Sequence, residues 1–131
     1  MSKNRYNRPL IESEYYHIYN RGNNKENLFY SKKDYLSFLD KYSKYLNDFL
    51  DTFAYCLLPN HFHFFVRVKK DHIILEGKNL FTSKQFQKLF ISHAHAINKQ
   101  FKRKGSLFQK PFKRLPIESE PYFFANGVRP T

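Results

Sequence analysis

The chain has 131 residues, with 23 Lys and Arg against 11 Asp and Glu, and a formal net charge of +12. This length suits one domain, and no apolar run approaches the roughly 20 residues that a membrane-spanning helix needs. A single cysteine excludes an internal disulfide and a cysteine-rich zinc site, so we expect a reducing, cytoplasmic setting. Such an excess of positive charge favours a polyanionic partner, most commonly nucleic acid.

The first part of the chain predicts a strand and a long helix. Residues 1–13 form a basic, polar arm, and residues 15–19 (YYHIY) are rich in strand formers and precede a turn-forming NRGNN segment. Ser31 and Asp34 have the spacing of a capping box. Apolar residues then recur at helical spacing over residues 35–49, which predicts a helix of four to five turns.

A predicted hairpin follows this helix. Residues 52–58 and 61–68 are two apolar, aromatic runs separated by Pro59-Asn60, and they predict adjacent antiparallel strands. Residues 69–81 are more polar and predict an irregular connection.

The last part of the chain predicts a second helix and a final strand. Thr82 and Gln85 suggest a capping box for an amphipathic helix that extends to Phe101. Residues 107–117 predict an extended segment whose prolines place it at a sheet edge. Residues 118–131 have room for only a short helix.

The element order is therefore β-α-β-β-α-β, the ferredoxin-like order. It predicts an α+β fold in which two helices cover one face of an antiparallel sheet. We expect residues 1–131 to form a single domain.

His61 and His63 form the pattern with the clearest chemical meaning. Residues i and i+2 of a strand share one face, so both imidazoles project together while Phe62 and Phe64 face the helices. Two converging imidazoles can bind a divalent metal when oxygen ligands complete the shell. The alternative is that the two histidines lie on a partly solvent-exposed face of the sheet and bind no ligand.

The other histidines give weaker signals. His93 and His95 have the same spacing on a helix, where they diverge by roughly 200°, so we expect partly buried or surface residues and no shared ligand. His17 could flank the His61–His63 pair and contact it or a phosphate if those strands are neighbours, but the sequence favours an ordinary strand histidine. His72 has no evident partner in the sequence.

Residues 99–114 contain seven cations, no acid and three interleaved phenylalanines. Cations neutralise phosphates and exposed aromatic rings stack on unpaired bases, a combination that suits single-stranded or hairpin nucleic acid. The alternative places the phenylalanines in the core, which helical spacing favours for Phe101 and leaves open for Phe108 and Phe112. The predicted nucleic-acid contacts are Arg21 in the first turn together with Lys99, Lys102, Arg103, Lys104, Lys110, Lys113 and Arg114.

Tyr122 and Asn126 stand four residues apart and would share one face of a helix. A tyrosine beside a two-histidine metal site could attack a phosphodiester and form a phosphotyrosyl intermediate. No nucleotide-binding glycine loop, Ser-His-Asp spacing or CxxC pair competes with this hypothesis, so no small-molecule cofactor is predicted.

Three colinear blocks resemble a known family. They are YHIYNRG at 16–22, LLPNHFHFFV at 57–66, and KGSLFQ with PFKR at 104–114. These blocks resemble the single-tyrosine HUH transposases, in particular the REP-associated tyrosine transposases and related insertion-sequence transposases. The resemblance implies a ferredoxin-like nuclease, usually a homodimer, that cleaves hairpin-bearing single-stranded DNA in the bacterial cytoplasm, at the nucleoid.

The resemblance also implies residue roles. His61 and His63 would hold Mg²⁺ or Mn²⁺, and Tyr122 would attack the polarised phosphate to leave a 5′-phosphotyrosine link and a free 3′-OH. Asn126 would be the third ligand, although Gly127 replaces the proline of the family's Asn-Pro-Val motif. A second alignment puts the family's nucleophile about two turns later, which would make the chain an inactive, C-terminally truncated or divergent DNA-binding remnant.

A third hypothesis is an RNA-binding module, because a β-α-β-β-α-β sheet with aromatic residues is also typical of RNA-recognition domains. Such domains have no need of an HxH pair. The sequence therefore favours the transposase first, the DNA-binding remnant second and the RNA-binding module third.

Overall fold

The structure is a computed structural model that describes residues 9–117. Its two helices are α1 (Lys32–Leu46) and α2 (Thr82–Phe101). Its strands are β1 (Tyr15–Arg21), β2 (Leu50–Leu58), β3 (His61–Val68), β4 (His72–Leu75), β5 (Lys78–Phe81) and β6 (Lys113–Ile117).

Four strands form an antiparallel sheet in the order β2-β3-β1-β6. The helices α1 and α2 pack on each other, and both contact β3 of this sheet through aromatic residues. The predicted ferredoxin-like α+β fold is confirmed. The edge position predicted for the last strand is also right, since β6 pairs only with β1 within residues 9–117. None of the helices in this range is long and apolar enough to cross a membrane.

The core lies between the sheet and the helices, and aromatic residues fill much of it. Phe62 and Phe64 of β3 are fully buried and contact Phe38 of α1. Tyr42 stacks on Phe64 with ring centroids 4.1 Å apart, and its hydroxyl shares a hydrogen bond with the hydroxyl of Thr52. The alternation predicted for residues 61–68 is therefore present, with Phe62 and Phe64 turned toward the helices.

The beginning of α1 agrees with its prediction and its end does not. Ser31 and Asp34 form a reciprocal capping box, in which each side chain accepts from the backbone N–H of the other residue. The helix ends at Leu46, and Phe49 reaches the core from the turn before β2. Periodicity alone did not separate this buried turn residue from the apolar face of the helix.

The capping box predicted for α2 is wrong. Phe81 is the N-cap and provides no side-chain cap, because β5 runs directly into the helix. Thr82 is the first helical residue, and its hydroxyl donates to the Lys70 carbonyl (2.6 Å). Gln85 is buried.

The connection predicted as irregular contains the hairpin β4–β5. Glu76 and Gly77 form its tip and both have positive φ, as two-residue hairpin turns of type I′ require. The sequence signal for this hairpin was the apolar run at 73–75 followed by Gly77, but the run is too short to predict a strand with certainty.

Backbone hydrogen bonds join three distant segments beside the end of β1. The N–H of Gly22 donates to the Asn60 carbonyl (3.0 Å), and the N–H of Gln109 donates to the Arg21 carbonyl (2.9 Å). At Gly22 the chain packs so closely that a Cβ would overlap the Glu26 carbonyl oxygen. Only glycine fits here without moving the turn.

His93 lies in the core, deeper than the sequence indicated, whereas His95 is exposed. The Nε2 of His93 donates to the Leu28 carbonyl (2.7 Å), and the Nδ1 of His93 has no partner among the described residues. Burial lowers the His93 pKa, and the charge of Lys41 adds to this effect. The Leu28 hydrogen bond and Asp34 oppose it.

We predict that Gly22→Ala lowers the free energy of unfolding by about 1–3 kcal/mol, because the added methyl group must displace the Glu26 carbonyl. Urea denaturation measures this. Gly77→Asn is the matched control, since position 77 has a φ of +76° and open space around it, and asparagine tolerates this conformation. Equal stability of Gly22→Ala and the wild type would contradict the close approach.

We also predict that His93 contributes to acid sensitivity. Its pKa is below 6.5 in the folded chain and near 6.5 in the unfolded chain, so the unfolded chain binds more protons at lower pH. Stability therefore falls as the pH drops below about 6.5. The free energy of unfolding of His93→Gln, which keeps a donor for Leu28, should fall less steeply than that of the wild type in urea titrations at successive pH values.

The control for this experiment is His95→Gln, because His95 is exposed on the same helix. It should keep the wild-type pH dependence. If His93→Gln also keeps it, His93 does not contribute.

Candidate metal and nucleic-acid site

One cleft lies where β1 ends and β3 begins. The antiparallel register places Arg21 opposite His61 and Tyr19 opposite His63, and directly paired residues project from the same face. The cleft has a volume of about 540 Å³. Cations, imidazoles, amides and one tyrosine line it, with no carboxylate from the described residues: Tyr19, Asn20, Arg21, Lys25, Asn60, His61, His63, Gln109 and Lys113.

The two predicted ligand histidines lie side by side in this cleft. Their ring centroids are 5.2 Å apart and their planes are nearly perpendicular. His61 Nδ1 donates to Asn60 Oδ1 (2.8 Å), and His63 Nδ1 shares a hydrogen bond with His17 Nε2 (2.8 Å). Both rings therefore use Nδ1 for a protein hydrogen bond, and Nε2 is the nitrogen that remains for a ligand.

The protonation state of His63 favours ligation. Burial lowers its pKa, and the neighbouring His61 lowers it further. Because metal ions bind the neutral imidazole, the environment holds His63 in the form that a metal needs.

The donor set fits a divalent metal in part. Ligating histidines usually have the other ring nitrogen hydrogen-bonded, as His61 and His63 do. Mg²⁺ and Mn²⁺ also require oxygen ligands. Within residues 9–117 no third His, Cys, Asp or Glu joins a metal-binding cluster, and the predicted ligand Asn126 and nucleophile Tyr122 lie outside the described residues.

His17 contacts His63, one of the two predicted ligands, because β1 is the direct neighbour of β3. It is 8% exposed and lies among the rings of Tyr19, His63 and Phe65, with centroid distances of 4.5, 5.0 and 4.7 Å. Burial lowers its pKa to about 4, and His63 contributes to this shift.

The cations predicted to contact nucleic acid in residues 99–114 lie in different environments. Lys113 lines the cleft. Arg103 instead forms a bidentate ion pair with Glu26 (2.9 and 2.8 Å) and a hydrogen bond with Asn98, so its guanidinium connects the end of α2 to the turn after β1. This commits Arg103 to a structural contact.

Arg114 is also unsuited to the predicted role. It pairs with Ile18 in the register and therefore lies on the helix-facing side of the sheet, opposite to the histidines. It is 9% exposed, and its guanidinium lies 3.8 Å from the centroid of the Phe112 ring. Burial lowers its pKa.

The core position expected for Phe101 is wrong, and the structure decides the positions that the sequence left open for Phe108 and Phe112. Phe101, which helical spacing placed in the core, is 44% exposed and contacts Tyr30. Phe108 and Phe112 are buried and contact Phe90. Only Phe101 of these three offers an accessible ring.

The remaining predicted cations are exposed outside the cleft lining: Lys99, Lys102, Lys104 and Lys110.

The cleft also contains residues that the sequence analysis did not select, including Lys25, Asn60 and Gln109. Lys25 was accessible to prediction, since it follows Arg21 in the same turn. Gln109 was not, because its backbone hydrogen bonds to the distant residues Asn20 and Arg21 bring it there.

No protein-family model and no curated protein sequence matches the chain. Among solved structures, it is similar to a REP-associated tyrosine transposase bound to a REP hairpin, with a TM-score of 0.66 and 19% sequence identity. The alignment covers 96% of this chain and 68% of that chain. At this identity the similarity shows a shared fold: the chain has a transposase-like fold.

Proposed function

We propose that this chain is a DNA transposase of the HUH single-tyrosine type, which cleaves and rejoins hairpin-bearing single-stranded DNA with a divalent metal. The observation that carries the proposal is the cleft geometry of His61 and His63, whose Nδ1 atoms are hydrogen-bonded while Nε2 remains for a ligand. The transposase-like fold supports the same conclusion.

The cleft has the charge that a phosphodiester requires. Arg21, Lys25 and Lys113 line it, and no carboxylate of the described residues opposes them. Its volume of about 540 Å³ is in the range of small-ligand sites and suits a nucleotide. Phosphate oxygens bound there would also supply the oxygen ligands that two imidazoles lack.

Each residue has a defined role in the proposed reaction. His61 and His63 would hold Mg²⁺ or Mn²⁺, with Asn126 as a third ligand, and the ion would supply Lewis-acid polarisation of the scissile phosphate. The Tyr122 hydroxyl would lose its proton to solvent water, and its oxygen would attack phosphorus. A phosphotyrosine bond forms, the bond from phosphorus to the 3′ oxygen breaks, and that oxygen leaves as a 3′-OH after taking up a proton.

The exposed cations at the end of α2 extend the proposed DNA surface beyond the cleft. Lys99, Lys102 and Lys104 are exposed there together with the ring of Phe101, and Lys110 is exposed in the segment before β6. Cations and an accessible aromatic ring suit a hairpin with unpaired bases. The structurally similar transposase is bound to a REP hairpin, and a hairpin is also the partner proposed for this chain.

A catalytically inactive DNA-binding protein is the second candidate. The substitution of Gly127 for the family's proline favours it, because this change lies one residue after the proposed ligand Asn126. The RNA-binding hypothesis is weaker. RNA-recognition modules stack bases on aromatic residues of the central strands and need no histidine pair, whereas His61 and His63 of the central strand β3 line the cleft in this chain.

We predict that incubation with a labelled single-stranded hairpin oligonucleotide and Mn²⁺ yields a covalent protein–DNA adduct that resists denaturant. Tyr122→Phe should abolish the adduct, because phenylalanine has no nucleophilic oxygen. Tyr55→Phe is the matched control, since Tyr55 is exposed on β2, outside the cleft lining. Denaturing gel electrophoresis measures the adduct.

The other outcomes of this assay separate the alternatives. DNA binding without an adduct in the wild type would support the inactive remnant. An adduct that persists in Tyr122→Phe would refute Tyr122 as the nucleophile. Stronger binding of an RNA hairpin than of the matched DNA hairpin would contradict the transposase hypothesis.

We also predict that Lys113→Ala weakens binding to the hairpin oligonucleotide and reduces the slope of log affinity against log salt by about 1, as the loss of one phosphate contact should. Lys88→Ala is the control, because Lys88 is exposed on α2 away from the cleft. Fluorescence anisotropy at several salt concentrations measures both. Identical slopes for the two variants would exclude Lys113 from the interface.

A further inference from the structure

His17 is a buried, hydrogen-bonding histidine for which the proposed reaction has no direct use. It is 8% exposed, and its ring stacks on Phe65 with an interplanar angle of 10°. Its Nε2 lies 2.8 Å from His63 Nδ1. This contact joins residues 46 positions apart and leads directly to one of the two proposed ligands.

The hydrogen bond between the two neutral rings contains one proton, and its position decides what His63 can bind. If the proton is on His17 Nε2, the proton of His63 is on Nε2, which then has no lone pair for a metal. If the proton is on His63 Nδ1, the Nε2 lone pair of His63 is free. Metal ligation through Nε2 therefore requires His17 to accept from His63.

We propose that His17 is a positioning residue that accepts the Nδ1 proton of His63 and so directs the Nε2 lone pair of His63 into the cleft for a divalent metal. This inference rests on the proposed metal-dependent function. Ligating histidines usually donate their second N–H to a partner that fixes the tautomer and the ring orientation. Asn60 has the same relation to His61 through an amide oxygen.

Packing alone does not account for an imidazole at position 17. The surroundings are the rings of Tyr19, His63 and Phe65, on which an apolar aromatic ring could also stack. The second nitrogen of His17, Nδ1, is buried without a hydrogen-bond partner among the described residues, which is unfavourable. A phenylalanine has no polar atom to leave unpaired. The hydrogen bond to His63 is therefore the contact that distinguishes a histidine from an apolar ring at this position.

The test measures Mn²⁺ binding to the full chain without DNA, by calorimetry or by the electron paramagnetic resonance of free Mn²⁺. His17→Phe keeps the ring stack but removes the acceptor, and we expect about 10–100-fold weaker binding. His17→Gln offers Oε1 as an acceptor near the position of Nε2, and we expect binding within about threefold of the wild type. The control is His95→Phe, which changes an exposed histidine and should leave the affinity unchanged.

A second measurement does not depend on a variant. Nitrogen-15 NMR of the wild type loaded with diamagnetic Zn²⁺ should show His63 protonated at Nδ1 and bound to metal through Nε2. Circular dichroism establishes that each variant is folded. If His17→Phe does not fold, the NMR result decides the inference.

The outcomes separate this inference from the proposed function. If a folded His17→Phe binds Mn²⁺ as tightly as the wild type, or if His63 binds zinc through Nδ1, the role of His17 is refuted and the proposed function stands. If the wild type binds no Mn²⁺, the metal-dependent function fails and the role of His17 fails with it.

Discussion

The antiparallel pairing of β1 with β3 places Arg21 opposite His61 and brings His17 into hydrogen-bond contact with His63. The same register buries Ile18 on the other face, against the helices. Because side chains alternate along a strand, a slip of one residue would turn the histidines into the core and the apolar residues out of it. Burial of the apolar face thus stabilises the register that assembles the cleft, and the site inherits its geometry from the core.

The positive charge of the chain has several structural uses. Arg103 is bound to Glu26 and supports the turn beside the cleft, and Arg114 is buried over the ring of Phe112. Lys113 faces the cleft from the strand that contains Arg114, since neighbouring residues of β6 point to opposite faces. Net charge indicates a polyanionic partner, but only these contacts distinguish an interface cation from a structural one.

Burial of imidazoles links stability to the proposed chemistry. Burial lowers the pKa of His17, His63 and His93, so all three favour the neutral form in the folded chain. For His93 the result is a core residue that opposes folding at acid pH. For His63 the same physical effect favours the lone pair that a metal requires. The two roles differ because His93 Nε2 binds the Leu28 carbonyl in the core, while His63 lines the cleft.

The sequence by itself determined the two helices and the four strands of the main sheet, although it missed the hairpin β4–β5. It also determined the Ser31 capping box and the shared face of His61 and His63, because each depends on residues within one helix or strand. The tertiary structure decided which basic residues reach the cleft and which aromatic residues are buried. It alone revealed the bond between His17 and His63, across 46 residues, and the ion pair of Arg103 with Glu26, across 77. Periodicity reports which way a side chain faces within its own element, whereas its partner depends on strand register and on how distant segments pack.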